Sequence, residues 1–200
     1  DISICSGATA TIGALTDSAY TYSWSPTTGL SNGTVSDPSV TLINTSGIND
    51  TLFYVITSTL YGCEATDTVR VIVRPNPVSN AGLNQLVCAG TSVQLGTGIT
   101  TGYTYSWSPA TGLNNTTISD PTLTLSNTGT SPDTLQYVVT TTLNGCSTSD
   151  TVQVISAPAP VAAHRGTGRC QYSGCCAFRS HPPNRAGSAT SAPSGPPPRP

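Results

Sequence analysis

The sequence has no lysine and no methionine, and only 8% of its 200 residues are charged, where an ordinary soluble domain carries roughly 25%. Each shortage excludes something. Residues 1–156 hold only two arginines, Arg70 and Arg74, too little counter-charge to follow a nucleic-acid backbone. No apolar run approaches the ~18 residues of a membrane span. No basic segment followed by an apolar stretch reads as a signal peptide. Both histidines, His164 and His181, lie beyond residue 160, so the rest of the chain has no imidazole base.

What is present is polar but uncharged: 34 Thr and 25 Ser, with 19 Gly and 16 Pro. The charge is unevenly spread. Residues 1–156 hold all nine acids against two Arg, a balance of −7, and residues 157–200 hold five Arg and no acid, a balance of +5.

An internal repeat organises the chain. Tyr20-Thr-Tyr-Ser-Trp24-Ser-Pro26 recurs as Tyr103-Thr-Tyr-Ser-Trp107-Ser-Pro109, an offset of 83 residues. The same offset maps Cys5 to Cys88, Asp37-Pro38 to Asp120-Pro121, Cys63 to Cys146 and Asp67-Thr-Val69 to Asp150-Thr-Val152. From 5 to 77 no gap is needed, and 39 of the 73 pairs are identical. The expected domains are therefore a first repeat over 1–74, a Pro linker at 75–77 and a second repeat over 78–157. Because Asp1 aligns with Asn84, the first repeat is expected to lack the start of its first strand. The chain reads as a segment of a longer array or a processed product.

The apolar pattern has a period of two. Leu52, Tyr54 and Ile56 alternate with Phe53 and Val55, and Val69, Val71 and Val73 alternate with Arg70 and Ile72. Alternation means half-buried strands. The copies identify the inner face: Phe53 becomes Gln136 and Arg70 becomes Gln153, while Tyr54 and Val71 recur as Tyr137 and Val154. Asn144-Gly145 is a hairpin-turn signal, with Tyr61-Gly62 as its counterpart. Gly, Pro, Asn and Asp punctuate the pattern every 8–14 residues. About six or seven short strands per repeat give an all-β chain of two immunoglobulin-like sandwiches, each with a core Trp (Trp24, Trp107) on a central strand.

Each repeat has two cysteines, Cys5 and Cys63 in the first, Cys88 and Cys146 in the second. This spacing predicts one disulfide within each repeat and an oxidising compartment; the alternative is four free thiols. Closing such a loop stabilises by ~4 kcal/mol on the chain-entropy account. Without a CxxC or a histidine in the repeats, zinc is disfavoured.

Together, Cys-x-Gly, Tyr-x-Trp-Ser-Pro-x-Thr-Gly-Leu, Asp-Pro-x-x-Thr-Leu and Gly-Cys-x-x-x-Asp-Thr-Val resemble the PKD-like/Ig-like repeats of very large Bacteroidota surface proteins. Those are the gliding-motility-associated and adhesin-like proteins exported by the type IX system. The resemblance covers residues 1–160. It implies an extracellular, cell-surface, tandemly repeated β-sandwich rod serving as stalk, adhesin or filament, and no catalysis.

Hidden chemistry finds little support. Ser and Thr have no base beside them. Asp37, Asp50 and Asp67 recur as Asp120, Asp133 and Asp150, in contexts where Asp caps its own backbone; a weak calcium site is the lesser reading and glycoside chemistry the least. No catalytic, cofactor or metal residue is therefore expected. Asp-Thr-aliphatic triplets match the acceptor pattern of Bacteroidota O-glycosylation at Thr51, Thr68, Thr134 and Thr151, and Asp17-Ser18-Ala19 adds Ser18; the rival reading is a turn Asp before a strand Thr. Asn-x-Ser/Thr sequons at Asn44, Asn49 and Asn115 are expected by chance.

Residues 158–200 form a Pro/Arg/Cys-rich tail without alternation. Cys170, Cys175, Cys176, His164 and His181 match no standard zinc spacing, and a Pro-rich anchor is one alternative. The preferred reading is out-of-frame sequence: shifting residues 163–170 by one base permits a segment similar to Ala81–Gln85.

The function expected is a non-catalytic structural module of an extracellular bacterial rod, stalk or filament, with an adhesin module binding carbohydrate or another surface as the alternative. The expected partners are copies of the repeat itself, its neighbours in the array, or surface glycans. Phe53 and Tyr61 are the outward aromatic candidates.

Overall fold

The computed structural model describes residues 1–14 and 17–159, and Asp1–Ala159 form one compact unit. Expectations for the tail from residue 160 onward lie outside the described residues. Among the described residues all regular structure is β, in twelve strands, six per repeat. The first repeat contains β1 (Ile2–Cys5), β2 (Thr9–Thr11), β3 (Thr21–Ser25), β4 (Ser39–Thr41), β5 (Asp50–Leu60) and β6 (Cys63–Arg74). The second contains β7 (Gln85–Cys88), β8 (Ser92–Gln94), β9 (Thr104–Ser108), β10 (Thr122–Thr124), β11 (Asp133–Leu143) and β12 (Cys146–Ala157).

Each repeat is a sandwich. A four-stranded sheet ordered β1-β6-β5-β3 faces the pair β2-β4, and β7-β12-β11-β9 faces β8-β10 in the same way. The long hairpin β5–β6 is antiparallel, closed by Leu60↔Cys63, whereas β1 runs parallel to β6 with Ile2↔Val71 and Cys5↔Arg74. β11–β12 and β7–β12 repeat this register. The hairpins turn at Tyr61-Gly62 (φ 50° and 84°) and Asn144-Gly145 (φ 50° and 82°), the positive-φ pair that a two-residue β-turn of type I′ requires.

Two separate cores follow from the alternation. One gathers Ile4, Ile12, Trp24, Val40, Leu42, Tyr54, Val71 and Val73, and the other Val87, Leu95, Trp107, Leu123, Leu125, Tyr137, Val139, Val152 and Val154 with Ala81. Trp24 and Trp107 are each 3% exposed. Their Nε1–H groups donate to Val35 O (2.8 Å) and Ile118 O (2.9 Å), so the buried indoles leave no donor unpaired. The tryptophan strand is an edge of its sheet rather than the expected central strand; the indole reaches the core because Trp24 N–H anchors its strand to Gly33 O. Gly13 and Gly96 (φ 93° and 72°) sit under the same indoles, where a Cβ would lie 1.9 and 2.0 Å from Ser36 O and Ser119 O. Only glycine fits there.

β1 is as long as β7, and residues 78–84 form no regular strand.

Asn44 is a buried polar residue in the loop between β4 and β5. Its buried amide donates to Ile48 O and Val73 O (2.6 and 2.7 Å), and Oδ1 accepts from Ser46 N–H and Oγ–H (2.8 Å each). Asn127 repeats this with Ser131 O and Ser156 O. Such satisfied amides clip loop to sheet and leave Asn44 no free nitrogen for a sugar.

Candidate functional site

Two of the candidate cysteines meet at the junction between the two sandwiches. Cys5, at the end of β1, is bonded to Cys146, the first residue of β12, across 141 residues of chain (S–S 2.07 Å, Cα–Cα 5.6 Å). The expected pairing within each repeat, Cys5 with Cys63 and Cys88 with Cys146, is not formed. The reason is direction. Cys5 lies opposite Arg74, at one end of the 12-residue β6, and Cys63 is at the other end. At ~3.3 Å per residue the two are ~36 Å apart, far beyond the ~7 Å a disulfide can span. Cys88, paired with Ala157 in register, is separated from Cys146 by the length of β12 in the same way. Cys88 is itself disulfide-bonded, and Cys63 carries an exposed thiol.

Around Cys5–Cys146 five hydrogen bonds cross the junction or pin the linker and the residues after it. Arg74 Nη1 donates to the turn carbonyl of Asn144. Asn76 Nδ2 donates to Ser6 O (3.0 Å), holding the linker to the first sandwich. Thr148 Oγ1 donates to Pro77 O (2.7 Å), and Ser79 Oγ donates to Thr148 O (2.8 Å), holding it to the second. Ala81 N–H then donates to Asp150 Oδ2 (2.9 Å). The linker is thus fixed along β12, and not only stiffened by its prolines. Cys146 is 1% exposed in this setting.

Asp50, Asp67 and Asp17 bond the backbone of their own turns or strand starts. Asp50 Oδ1 accepts the N–H of Thr51 (2.8 Å), Asp67 Oδ1 that of Thr68 (2.7 Å) and Asp17 Oδ1 that of Ala19 (3.0 Å). Asp37 and Asp120 accept the hydroxyls of Ser36 and Ser119. Among the described residues no group of three or more His, Cys, Asp or Glu is placed to hold a metal ion. The candidate acceptor hydroxyls of Ser18, Thr51, Thr68, Thr134 and Thr151 all belong to exposed residues.

Phe53 and Tyr61 are 57% and 97% exposed. They do not form one platform: Phe53 is opposite Arg70 in mid-hairpin and Tyr61 is at the tip, ~26 Å away at the strand rise. A shallow cavity of about 260 Å³, lined by Thr111, Gly112, Leu125, Asp133, Leu135 and Ser156 among others, contains no aromatic side chain. Burial pushes the phenols of Tyr54 and Tyr137 above their ordinary range, and each donates to a loop carbonyl, Thr28 O and Thr111 O. These are core tyrosines.

No helix among the described residues is long and apolar enough to cross a membrane. Two immunoglobulin-like β-sandwiches in tandem define the class of protein. No protein-family model matches the chain, and no curated protein does. Among solved structures, the chain is similar to the titin Z1Z2 domains in complex with telethonin, at 15% identity and a TM-score of 0.30, covering 78% of this chain and 92% of that one. It is also similar to an I-band fragment of titin (12%, TM-score 0.36, 78% and 62% covered) and to immunoglobulin domains 1–4 of Sidekick-1 (12%, TM-score 0.36, 78% and 46% covered). Strand order and register carry the architecture independently of these distant likenesses.

Proposed function

We propose that this chain is a non-catalytic structural module of an extracellular bacterial rod, stalk or filament built from tandem β-sandwich repeats. The observation that carries the reading is the junction. Consecutive sandwiches are joined by a disulfide, by an arginine on a turn carbonyl and by a linker hydrogen-bonded to both sides. A module whose task is to hold its neighbour at a fixed angle needs such a junction; a flexible string of independent binding domains does not. A disulfide also accords with an oxidising, extracellular setting. The repeated Tyr-x-Trp-Ser-Pro and Gly-Cys-x-x-x-Asp-Thr-Val signatures point to large Bacteroidota surface proteins as the source.

The low charge suits association with like surfaces, since colloidal repulsion is weak. Neighbouring or identical repeats are therefore the partners favoured, ahead of surface glycans, for which the separated Phe53 and Tyr61 offer no shared platform. O-glycosylation at Ser18, Thr51, Thr68, Thr134 and Thr151 belongs to the same proposal; bare hydroxyls at all five in the intact mass of native protein contradict it. The rod reading is tested by electron microscopy of intact cells labelled with antibody to residues 1–159. Surface projections labelled along their length support it, and label confined to the cell interior refutes it.

A further inference from the structure

The hairpin tip of the first repeat is the counterpart of a tip already seen bound. In the second repeat, the tip offers backbone carbonyls to the first sandwich: Asn144 O accepts from Arg74, and Gly145 O lies 3.9 Å from Cys5 Sγ. Cys146 then closes the disulfide. The first tip has the same backbone, Tyr61 and Gly62 matching Asn144 and Gly145 in φ within 2°, and it ends in Cys63 as the other ends in Cys146. The contacts ask nothing of the side chain at the turn, so Tyr61 in place of Asn144 leaves the acceptors in place.

A second observation is independent of the cysteine. The first half of β12 is covered by residues 77–81, through Thr148 to Pro77 O and Ser79, and through Asp150 to Ala81 N–H. The matching half of β6 is open: Cys63, Glu64, Ala65, Thr66, Asp67 and Thr68 are all exposed. Asp67 recurs at the position of Asp150, and the carbonyl of Ala65 stands where that of Thr148 accepts from Ser79.

We infer that the Leu60–Cys63 tip and the adjoining half of β6 form a docking site for another sandwich of this same type. That sandwich presents the cysteine at the end of its first strand, and the docking site closes a disulfide to it through Cys63. The inference deepens the tandem-rod reading and rests on it for the existence of a preceding unit. In the step, two thiols lose two protons and two electrons and form one S–S bond; a low-molecular-weight disulfide accepts both and becomes two thiols. An array so built is stapled at every junction, each sandwich bonding forward from its first strand and backward from its hairpin tip.

The test adds a second copy of residues 1–83 ahead of Asp1 of the full chain, with the added copy's own Cys63→Ser. The added Cys5 then precedes Cys63 by 141 residues, the separation of Cys5 from Cys146. After refolding with oxidised glutathione, non-reducing peptide mass spectrometry reads the bonds, and hydrogen exchange reads Ala65–Asp67. The expected result is complete loss of alkylation at Cys63, a peptide joining it to the added Cys5, and slowed exchange at Ala65–Asp67. A Cys63 that stays alkylated while Cys5–Cys146 forms overturns the inference and leaves the rod reading intact. Absence of Cys5–Cys146 from the unextended chain removes the pairing both rest on and overturns them together.

Discussion

The two hairpin tips have nearly the same backbone and opposite surroundings. Cys146 is buried, its turn carbonyls are in contact with the first sandwich, and its strand is covered by the linker; Cys63 is exposed, with the first six residues of its strand exposed as well. Within their own sandwiches the two halves of the comparison are equivalent. Asp1 Oδ1 accepts from Arg70 N–H as Asn84 Oδ1 accepts from Gln153 N–H, and the two indoles and the two amides donate to carbonyls at matching positions. The difference therefore comes from what lies against the tip, not from the tip. In the second repeat it is the neighbouring sandwich that covers the tip.

The largest effect that can sharpen the comparison is at the covalent tie. Cys146→Ser opens a loop of 141 residues, worth up to ~5 kcal/mol on the chain-entropy account. The two sandwiches should then unfold in separate calorimetric transitions, whereas those of the parent should be coupled. Cys63→Ser, the matched change in the other copy, should leave both transitions where they are.

Next are the cores. Trp24→Ala and Trp107→Ala should each cost ~3–5 kcal/mol, alike in the two copies. Each leaves the remaining Trp to report the other sandwich, so denaturation followed by fluorescence shows whether damage stays in one copy. A large inequality between the two would break the equivalence of the cores.

Asn44→Ala and Asn127→Ala should cost ~1–3 kcal/mol each, because they leave buried carbonyls of Val73 and Ser156 without this donor. Chemical denaturation measures both.

Arg74→Ala should cost about 1 kcal/mol and act only at the junction. It should raise the rate at which dithiothreitol reduces Cys5–Cys146, with little change in the stability of either core. An unchanged reduction rate would remove the arginine from the junction.

Phe53→Gln, which installs in the first copy what the second already has, should fall within ±0.5 kcal/mol.

Much of this was legible in the residues. Strict alternation around Tyr54 and Val71 marked the inner face, and comparing Phe53 with Gln136 marked the outer one. Asn-Gly marked one turn, since the type I′ hairpin turn needs positive φ at both central residues, and the repeat offset marked Tyr-Gly as its counterpart. The cysteine pairing was not legible. Alternation reports which face a side chain is on but not which way its strand runs, and β1 runs parallel to β6. That direction sends Cys5 away from Cys63 and toward the next sandwich. Spacing along a repeat cannot show a bond made between repeats, and the same blindness hid the role of Arg74. Nor did it place Trp24 on an edge strand, because alternation reports which face of a sheet a side chain is on and not where its strand stands in the sheet order.

The central claim is that consecutive sandwiches are bonded to each other and not closed on themselves. Disulfide mapping of the oxidised full chain, by non-reducing digestion after blocking free thiols, tests it most directly. The account predicts a peptide pair joining Cys5 to Cys146, with Cys63 alkylated. Pairs joining Cys5 to Cys63 and Cys88 to Cys146 would contradict it.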